Sequence, residues 1–353
     1  MMHAQLLLQL LLRYVLWFFG GSTAIVFAAK FYLSFPSSRP LPSFMEPDAK
    51  KRTKFPGRPQ AAKEMKKRGF SSQIVGVGRN NTARIHYKIF GNDDQKRKLV
   101  LCMGLGARGD LWQGILKRLV GEFQILVMDN RFGLYTIKMM AQDTLEVLDS
   151  VGWKNFNVVG HSMGGMVALE LCLLCGSKSA RSRSISRVRS LMLLNTHAGG
   201  YISLPSWYFI LTKIKMILRP KILEFALPDN MQLMHGSDII ENPKEYRRIW
   251  GDKFHDKVIY GNNGFRSSSC MVRQLVAIAM HLVPEKDLLS LRSIPTMIVA
   301  GGEDNLISPE NSRYLAKTLR GNLVHFPRSG HSIQREKPEK LCELLMSHAV
   351  VCT

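Results

Sequence analysis

The fold of this 353-residue chain is decided by the stretch Phe156-Asn157-Val158-Val159-Gly160-His161-Ser162-Met163-Gly164-Gly165. A short apolar run of β type leads into a G-x-S-x-G pattern, and a helical run to Leu171 follows at once. Strand, sharp turn and helix form the context in which this pattern presents a serine as a nucleophile. The flanking glycines are needed because a Cβ at either position would collide with the neighbouring strand or helix. The pattern therefore predicts a nucleophilic Ser162 rather than a tight βα turn with an idle serine.

A serine nucleophile needs a base and an orienting carboxylate, and both are predicted further along the chain. Two later apolar runs indicate buried strands, at residues 296–300 and 322–326. Asp304 follows the first run and His331 follows the second, in the order serine, acid, histidine that this pattern requires. Because the carboxyl ends of parallel strands share one edge of a sheet, both side chains are expected near Ser162. The neighbouring Glu303 is the alternative carboxylate.

From Lys98 to Leu345 the sequence resembles an α/β-hydrolase fold protein of the serine-nucleophile type. The resemblance rests on four motifs, namely Leu99–Gly106, Gly160–Gly165, Asp304–Pro309, and Ser329–His331 with Glu336–Glu339 downstream. It implies an α/β fold with a mainly parallel sheet flanked by helices, and a helical lid over the active site. It also implies an oxyanion hole made by the backbone N–H groups of Leu105 and Met163, with no cofactor and no metal.

The chain departs from the family pattern in the loop after Asp129. Relatives usually have a longer Gly-rich loop here, whereas only a few residues separate Asp129 from the next helix. That helix is predicted from apolar residues that recur on one face, namely Ile137, Met140, Ala141, Leu145 and Leu148, with Thr144 among them. The shortened loop borders the mouth of the active site in the family, so it is expected to widen the pocket or strain the connection.

Length and composition agree with one large α/β domain plus appendages. Hydrophobic residues make up 46% of the chain, which is enough to bury such a core. Short apolar strands alternate with amphipathic helices, which indicates a mainly parallel sheet. The run Arg84–Phe90 alternates polar and apolar residues, so it predicts an antiparallel strand at the start of the sheet. The predicted units are an anchor with a Pro-rich linker (1–49), a basic stretch (50–70), two parts of the hydrolase core (71–196 and 291–353) and a helical lid (197–290).

The first 49 residues are predicted to attach the chain to a membrane. The segment Leu6–Ala29 is strongly apolar, and no Asp or Glu precedes Glu46. Its length suits one membrane span if Arg13 snorkels to the interface. Because the basic stretch follows, the positive-inside rule predicts a single-pass protein with a cytoplasmic catalytic domain. A cleaved secretory signal or an organellar transit peptide is the alternative.

The chain is strongly basic, with a net charge of +22. Such a balance suits either nucleic acid or membrane surfaces. No nucleic-acid-binding motif accompanies the basic residues, which cluster at 50–68 and 178–189, so contact with anionic lipid is predicted and nucleic acid is not. Cys172 and Cys175 lie three residues apart among leucines, which favours helix packing over redox or zinc chemistry. No metal-ligand cluster is apparent in the sequence.

Together these features predict a membrane-associated serine hydrolase that cleaves a carboxylic ester of lipid-like or otherwise apolar character. Ser162 attacks the ester carbonyl, His331 takes and later returns the proton, and Asp304 orients His331. Water then releases the acyl group from the enzyme. Two alternatives stay open, which are an acyltransferase that uses the same triad and a non-catalytic binding or scaffold protein disabled by the short loop.

Overall fold

A computed structural model of the chain describes residues 70–77, 83–92, 97–107, 112–131, 135–176, 187–200, 234–250 and 268–351. The strands there are β1 (Phe70–Val77), β2 (Ala83–Phe90), β3 (Lys98–Cys102), β4 (Gln124–Met128), β5 (Phe156–His161), β6 (Val188–Leu194), β7 (Thr296–Gly301) and β8 (Asn322–Phe326). The α-helices are α1 (Gln113–Leu119), α2 (Ile137–Ser150), α3 (Met163–Gly176), α4 (Ser237–Ile240), α5 (Pro243–Trp250), α6 (Ser268–Ala279), α7 (Glu285–Ser290), α8 (Pro309–Leu319), α9 (Ile333–Glu336) and α10 (Pro338–Val351).

The eight strands form a single sheet in the order β1-β2-β4-β3-β5-β6-β7-β8. β2 pairs antiparallel with both β1 and β4, and every later pairing is parallel. This arrangement confirms the predicted α/β-hydrolase fold with a mainly parallel sheet. It also confirms the antiparallel strand that the alternation over Arg84–Phe90 predicts.

The central strands are continuously apolar because helices cover both faces of the sheet. Every residue of β4, β5 and β7 is buried. Successive side chains of a strand point to opposite faces, so Val158 and Val159 of β5 belong to different apolar clusters. The cluster around Val158 includes residues of α2 and α3, whereas the cluster around Val159 includes residues of α1 and α10. The two-sided core holds the carboxyl ends of the strands in fixed relative positions.

Helix α2, which follows the short loop after β4, buries the face that its sequence predicts. Thr136 caps it, because the Thr136 hydroxyl accepts a hydrogen bond from the Met139 N–H at 3.2 Å. The buried residues recur at helical spacing and are Ile137, Met140, Ala141, Asp143, Thr144, Val147 and Leu148. Leu145 is partly buried against the same cluster.

A buried ion pair ties the connection after β4 to this helix. The Arg131 Nε donates to Asp143 Oδ2 at 2.6 Å, and a second guanidinium nitrogen donates to the other carboxylate oxygen. The Asp143 side chain is only 1% exposed. Burial raises the pKa of the Asp143 carboxyl, and the Arg131 hydrogen bonds oppose that rise. The bidentate contact thus binds Arg131 to α2. Residues 132–134 of the predicted short loop lie outside the described ranges.

The predicted lid interval, residues 197–290, is described only in part. Its described portions are 197–200, 234–250 and 268–290, and they contain the helices α4 to α7. An isolated antiparallel bridge joins Gly199 to Leu282, which places the end of this interval beside the segment that leaves β6. The remaining residues of the interval lie outside the described part of the chain, so the lid stays a prediction.

The predicted membrane attachment requires correction. Within the part of the chain that the structure describes, no helix combines the length and the apolar character that a membrane span needs. Even α2, α3 and α10 have only 14 residues each. Such a helix is about 21 Å long, whereas the hydrocarbon core of a bilayer is about 30 Å thick. The predicted transmembrane helix and the single-pass arrangement with a cytoplasmic catalytic domain are therefore wrong on this finding, which also gives no support to the predicted membrane partner. These predictions rested on the apolar segment Leu6–Ala29 and on residues 50–69 of the basic stretch, all of which lie outside the described residues.

Candidate active site

The candidate site lies where five neighbouring parallel strands end. β3, β5, β6, β7 and β8 are consecutive in the sheet and parallel, so their carboxyl ends share one edge. Ser162 directly follows β5, Asp304 lies just beyond β7, and His331 lies just beyond β8. The edge of an α/β sheet at the carboxyl ends of its strands is the usual position of a ligand site in such folds.

Ser162 occupies a strained turn between β5 and α3. Its φ is +57°, a value that non-glycine residues adopt rarely and that costs free energy. The backbone is held in this conformation by its neighbours, since the Ser162 N–H donates to Leu194 O at 2.9 Å and Thr196 Oγ1 donates to Ser162 O at 2.7 Å. Gly164 allows the turn to approach β3, because a Cβ there would lie 2.1 Å from the Cys102 carbonyl oxygen. The geometry is that of the predicted strand–turn–helix elbow, with a partly exposed serine at its tip.

The acid and the base predicted from the sequence are in direct contact. His331 Nδ1 donates to Asp304 Oδ2 at 2.8 Å, since a carboxylate can only accept. The other carboxylate oxygen, Oδ1, accepts from the backbone N–H groups of Leu306 and Ile307, each at 2.9 Å. Both side chains are almost fully buried, with 4% exposure for His331 and 1% for Asp304. The carboxylate is thus fixed at both oxygens, and the contact engages His331 through Nδ1 rather than Nε2.

The alternative carboxylate, Glu303, is engaged elsewhere. Its Oε1 accepts from Ser237 Oγ at 2.8 Å, and its Oε2 accepts from the Ser237 backbone N–H at 2.5 Å. Glu303 therefore joins the β7 loop to α4 and has no contact with His331 among the described hydrogen bonds.

The two predicted oxyanion donors border the elbow. Met163 is the first residue of α3, where backbone N–H groups have no partner inside the helix. Leu105 lies in the turn after β3, next to Gly104, and this turn runs against the elbow. A Cβ on Gly104 would lie 3.3 Å from Ser162 Cβ. The turn is also held by α6, because the Gly106 N–H donates to Gln274 Oε1 at 2.6 Å.

Two buried side chains that the sequence analysis did not identify contact the loop after β8 that carries His331, called the base loop below. His161 Nε2 lies 2.8 Å from the His331 carbonyl oxygen, and the two imidazole rings are 4.8 Å apart between centroids. Asn195 Nδ2 also donates to the His331 carbonyl at 2.8 Å. The signal available in the sequence is their position, because each residue stands at the carboxyl end of an apolar run that forms a core strand. No group of three or more potential metal ligands is arranged to hold an ion in the described residues.

Several buried histidines around this edge are held in the neutral form. Burial, followed by the nearby charge of His331, lowers the pKa of His161 to about 3. Burial also lowers the pKa of His197 to about 3, with His281 and His331 contributing further. Because a carbonyl oxygen only accepts, the proton of neutral His161 must lie on Nε2, where it donates to His331 O.

One consequence of this burial is measurable as a pH dependence of stability. His281 is 6% exposed, and burial lowers its pKa to about 4, whereas an unfolded histidine titrates near 6.5. Between those values the unfolded chain binds more protons, so the free energy of unfolding falls as the pH falls. We expect His281→Gln to reduce that slope by up to about 1.4 kcal/mol per pH unit, measured by urea unfolding between about pH 6 and 5. Equal slopes in wild type and His281→Gln would contradict the expectation.

Comparison with known proteins supports the fold and its family. Residues 99–344 match the model of the alpha/beta hydrolase family. A putative carbamate hydrolase RutD from Stutzerimonas stutzeri (strain A1501) is 23% identical over 275 residues, which cover 75% of this chain and 96% of that protein. The enol-lactonase from Burkholderia xenovorans LB400 superimposes with a TM-score of 0.62 at 19% identity, over 79% of this chain and 100% of that one. A thermophilic esterase from Thermogutta terrifontis superimposes with a TM-score of 0.61 at 18% identity, over 80% of this chain and 100% of that one.

The matched range begins in β3 and ends in α10. It therefore includes every strand end that carries a candidate site residue. At these identities the similar structures establish the shared fold alone, whereas the family model covers most of the chain. The chain belongs to the alpha/beta hydrolase family.

Proposed function

We propose that this protein is a serine hydrolase that cleaves a carboxylic ester through a covalent acyl-enzyme. The observation that carries the proposal is the contact of His331 with Asp304 at the same sheet edge as the strained Ser162 elbow. A serine hydroxyl is a weak nucleophile until a base removes its proton, and an imidazole needs an oriented carboxylate to stay in the correct tautomer. All three chemical groups are present in the order that this fold uses.

In the proposed reaction, Ser162 Oγ attacks the ester carbonyl carbon while His331 Nε2 takes the hydroxyl proton. The N–H groups of Leu105 and Met163 hold the negative charge that develops on the carbonyl oxygen. His331 then gives its proton to the leaving alcohol, and the acyl group stays on Ser162. Water, deprotonated by His331, attacks this acyl-enzyme, so the carboxylic acid leaves and the serine is restored. No redox step and no co-reactant besides water is needed.

The substrate that we propose is an ester with an apolar group. The end of α6 and the following segment expose apolar side chains, with 72% of Met280 and 56% of Leu282 accessible. Leu282 forms an isolated bridge with Gly199, in the segment that leaves the carboxyl end of β6, which is the sheet edge where Ser162 lies. An apolar surface in this place favours an acyl or alcohol group that is itself apolar.

Carbamate cleavage is a second candidate because the relative from Stutzerimonas stutzeri is named a putative carbamate hydrolase. A carbamate presents the same carbonyl carbon to Ser162 and the same developing oxyanion to the N–H donors. Its carbonyl is less electrophilic because nitrogen donates electron density into it. The same active site serves both reactions, so only substrate comparison separates them.

The test is covalent labelling of the full-length chain with a fluorophosphonate probe, followed by a substrate panel. We expect the probe to lose fluoride and to become bonded to Ser162 in the tryptic peptide 155–178, as detected by mass spectrometry. Nitrophenyl esters of short and long acids, with a matched carbamate, should then rank the substrates, with the longer ester preferred. Product analysis in the presence of an added alcohol distinguishes hydrolysis from acyl transfer. Absence of both labelling and ester cleavage in folded protein would refute the proposal.

A further inference from the structure

Asn195 makes three side-chain hydrogen bonds that connect the end of β7, the strand before Asp304, to the base loop. It directly follows β6 and is 2% exposed. Its Oδ1 accepts from the Gly301 N–H at 2.8 Å, where β7 ends before Asp304. Its Nδ2 donates to the carbonyl oxygens of Gly330 and His331, at 2.9 and 2.8 Å. One side chain therefore spans the loops that carry both the carboxylate and the imidazole.

The orientation of this amide is fixed by its partners. A backbone N–H can only donate and a carbonyl oxygen can only accept, so the oxygen of Asn195 must face Gly301. The residue also adopts a φ of +44°, which asparagine tolerates better than most residues other than glycine. Both the amide chemistry and the backbone conformation thus select asparagine at this position.

The His331 carbonyl is held from a second side by the nucleophile elbow. His161, the residue immediately before Ser162, donates its Nε2 proton to the same oxygen at 2.8 Å. Two donors on one carbonyl fix the main chain of His331 relative to β5 and β6 together. The hydrogen bond to Asp304 orients the imidazole ring, but the distance from that ring to Ser162 depends on the position of the His331 backbone.

We infer that Asn195 is a positioning residue that sets the placement of His331 relative to Ser162 and Asp304, an inference that rests on the proposed function. Proton transfer requires donor and acceptor within hydrogen-bond reach, and a displacement of about 1 Å can reduce a rate by about 100-fold. Asn195 acts through the backbone of the base loop and touches neither the substrate nor the reacting atoms. Its loss should therefore lower the rate of the chemical steps and leave substrate binding nearly unchanged.

The experiment uses Asn195→Gly, since glycine accepts the positive φ and removes all three side-chain hydrogen bonds. We expect kcat and the rate of fluorophosphonate labelling to fall about 10- to 100-fold, with KM within about twofold of wild type. Asn195→Asp provides a variant of equal size. It keeps an acceptor for Gly301 but turns an oxygen toward two carbonyl oxygens, so we expect a loss at least as large.

The matched control is Asn157→Ala, which removes another buried bridging amide. Asn157 is 4% exposed, donates to the Lys98 carbonyl at 3.2 Å and accepts from Ser190 Oγ at 2.7 Å. It stands near the amino end of β5, at the opposite edge of the sheet from Ser162. Its loss should reduce stability, measured by urea unfolding, without reducing kcat or the labelling rate.

The outcomes separate the inference from the function on which it rests. Wild-type kcat and labelling rate in folded Asn195→Gly or Asn195→Asp would overturn the inference, as would an equal loss of kcat in Asn157→Ala. In either case, labelling that disappears only in Ser162→Ala would leave the proposed function intact. Labelling of Ser162→Ala at the wild-type rate would instead overturn the proposed function itself.

Discussion

Ser162→Ala is expected to abolish fluorophosphonate labelling and to reduce ester hydrolysis by about 10⁴- to 10⁶-fold. The hydroxyl oxygen is the atom that forms the covalent bond in the proposed reaction, and alanine offers no substitute. The surrounding structure should persist, because the hydrogen bonds that hold the elbow use the Ser162 backbone N–H and carbonyl rather than its hydroxyl. The measurement is kcat/KM on the preferred ester, together with probe fluorescence after gel separation.

A control variant and a check of folding accompany the Ser162→Ala measurement. Ser150→Ala removes a serine hydroxyl at the end of α2, where it donates only to the Val147 carbonyl, so labelling and hydrolysis should equal those of wild type. Circular dichroism should show that Ser162→Ala keeps its secondary structure. Because serine and alanine are both strained at φ +57°, the urea midpoint should stay close to that of wild type. Undiminished labelling of Ser162→Ala would show that the probe reacts elsewhere.

The parts of the site that the sequence predicts are those encoded by local patterns. An apolar run, a glycine-bounded turn and a helical run occupy adjacent positions around Ser162, so a short window is enough to predict the elbow. Asp304 and His331 are predictable because each follows a recognisable apolar strand. Parallel pairing then brings these strand ends to one edge.

The contacts that hold the base loop are not encoded locally. Asn195 reaches Gly330 and His331 across more than 130 residues of sequence, and His161 reaches His331 across 170. A polar residue after a core strand is also compatible with a solvent-facing loop. Only the side-by-side placement of β5, β6 and β7 makes these side chains neighbours of the base.

The membrane prediction was wrong for a different reason. It rested on hydropathy and charge in the first 69 residues, which lie outside the described part of the chain. The described helices are amphipathic or buried elements of an α/β core, and they are too short to span a bilayer.

The last expectation concerns the choice of carboxylate. Asp304→Asn should reduce kcat by about 10³- to 10⁴-fold, because it reverses the hydrogen bond to His331. Oδ1 of Asp304 accepts two backbone N–H groups, so the amide oxygen of asparagine must take that place. Its NH₂ group then faces His331 Nδ1, which has to accept. The imidazole proton then lies on Nε2. Nε2 can therefore no longer receive the proton of the Ser162 hydroxyl.

Glu303→Gln is the matched change at the neighbouring position. Glutamine retains an oxygen that can accept from Ser237 Oγ or from the Ser237 backbone N–H, so its effect on kcat should be no more than a few-fold. His331→Ala removes the base itself and should be at least as severe as Asp304→Asn, since members of a catalytic triad act as a unit and their losses do not add. The comparison is made by kcat and by labelling rate at one pH, on variants whose urea midpoints show that they are folded. A larger loss in Glu303→Gln than in Asp304→Asn would transfer the acid role to Glu303, because the position with the tautomer-determining carboxylate must be the more sensitive one.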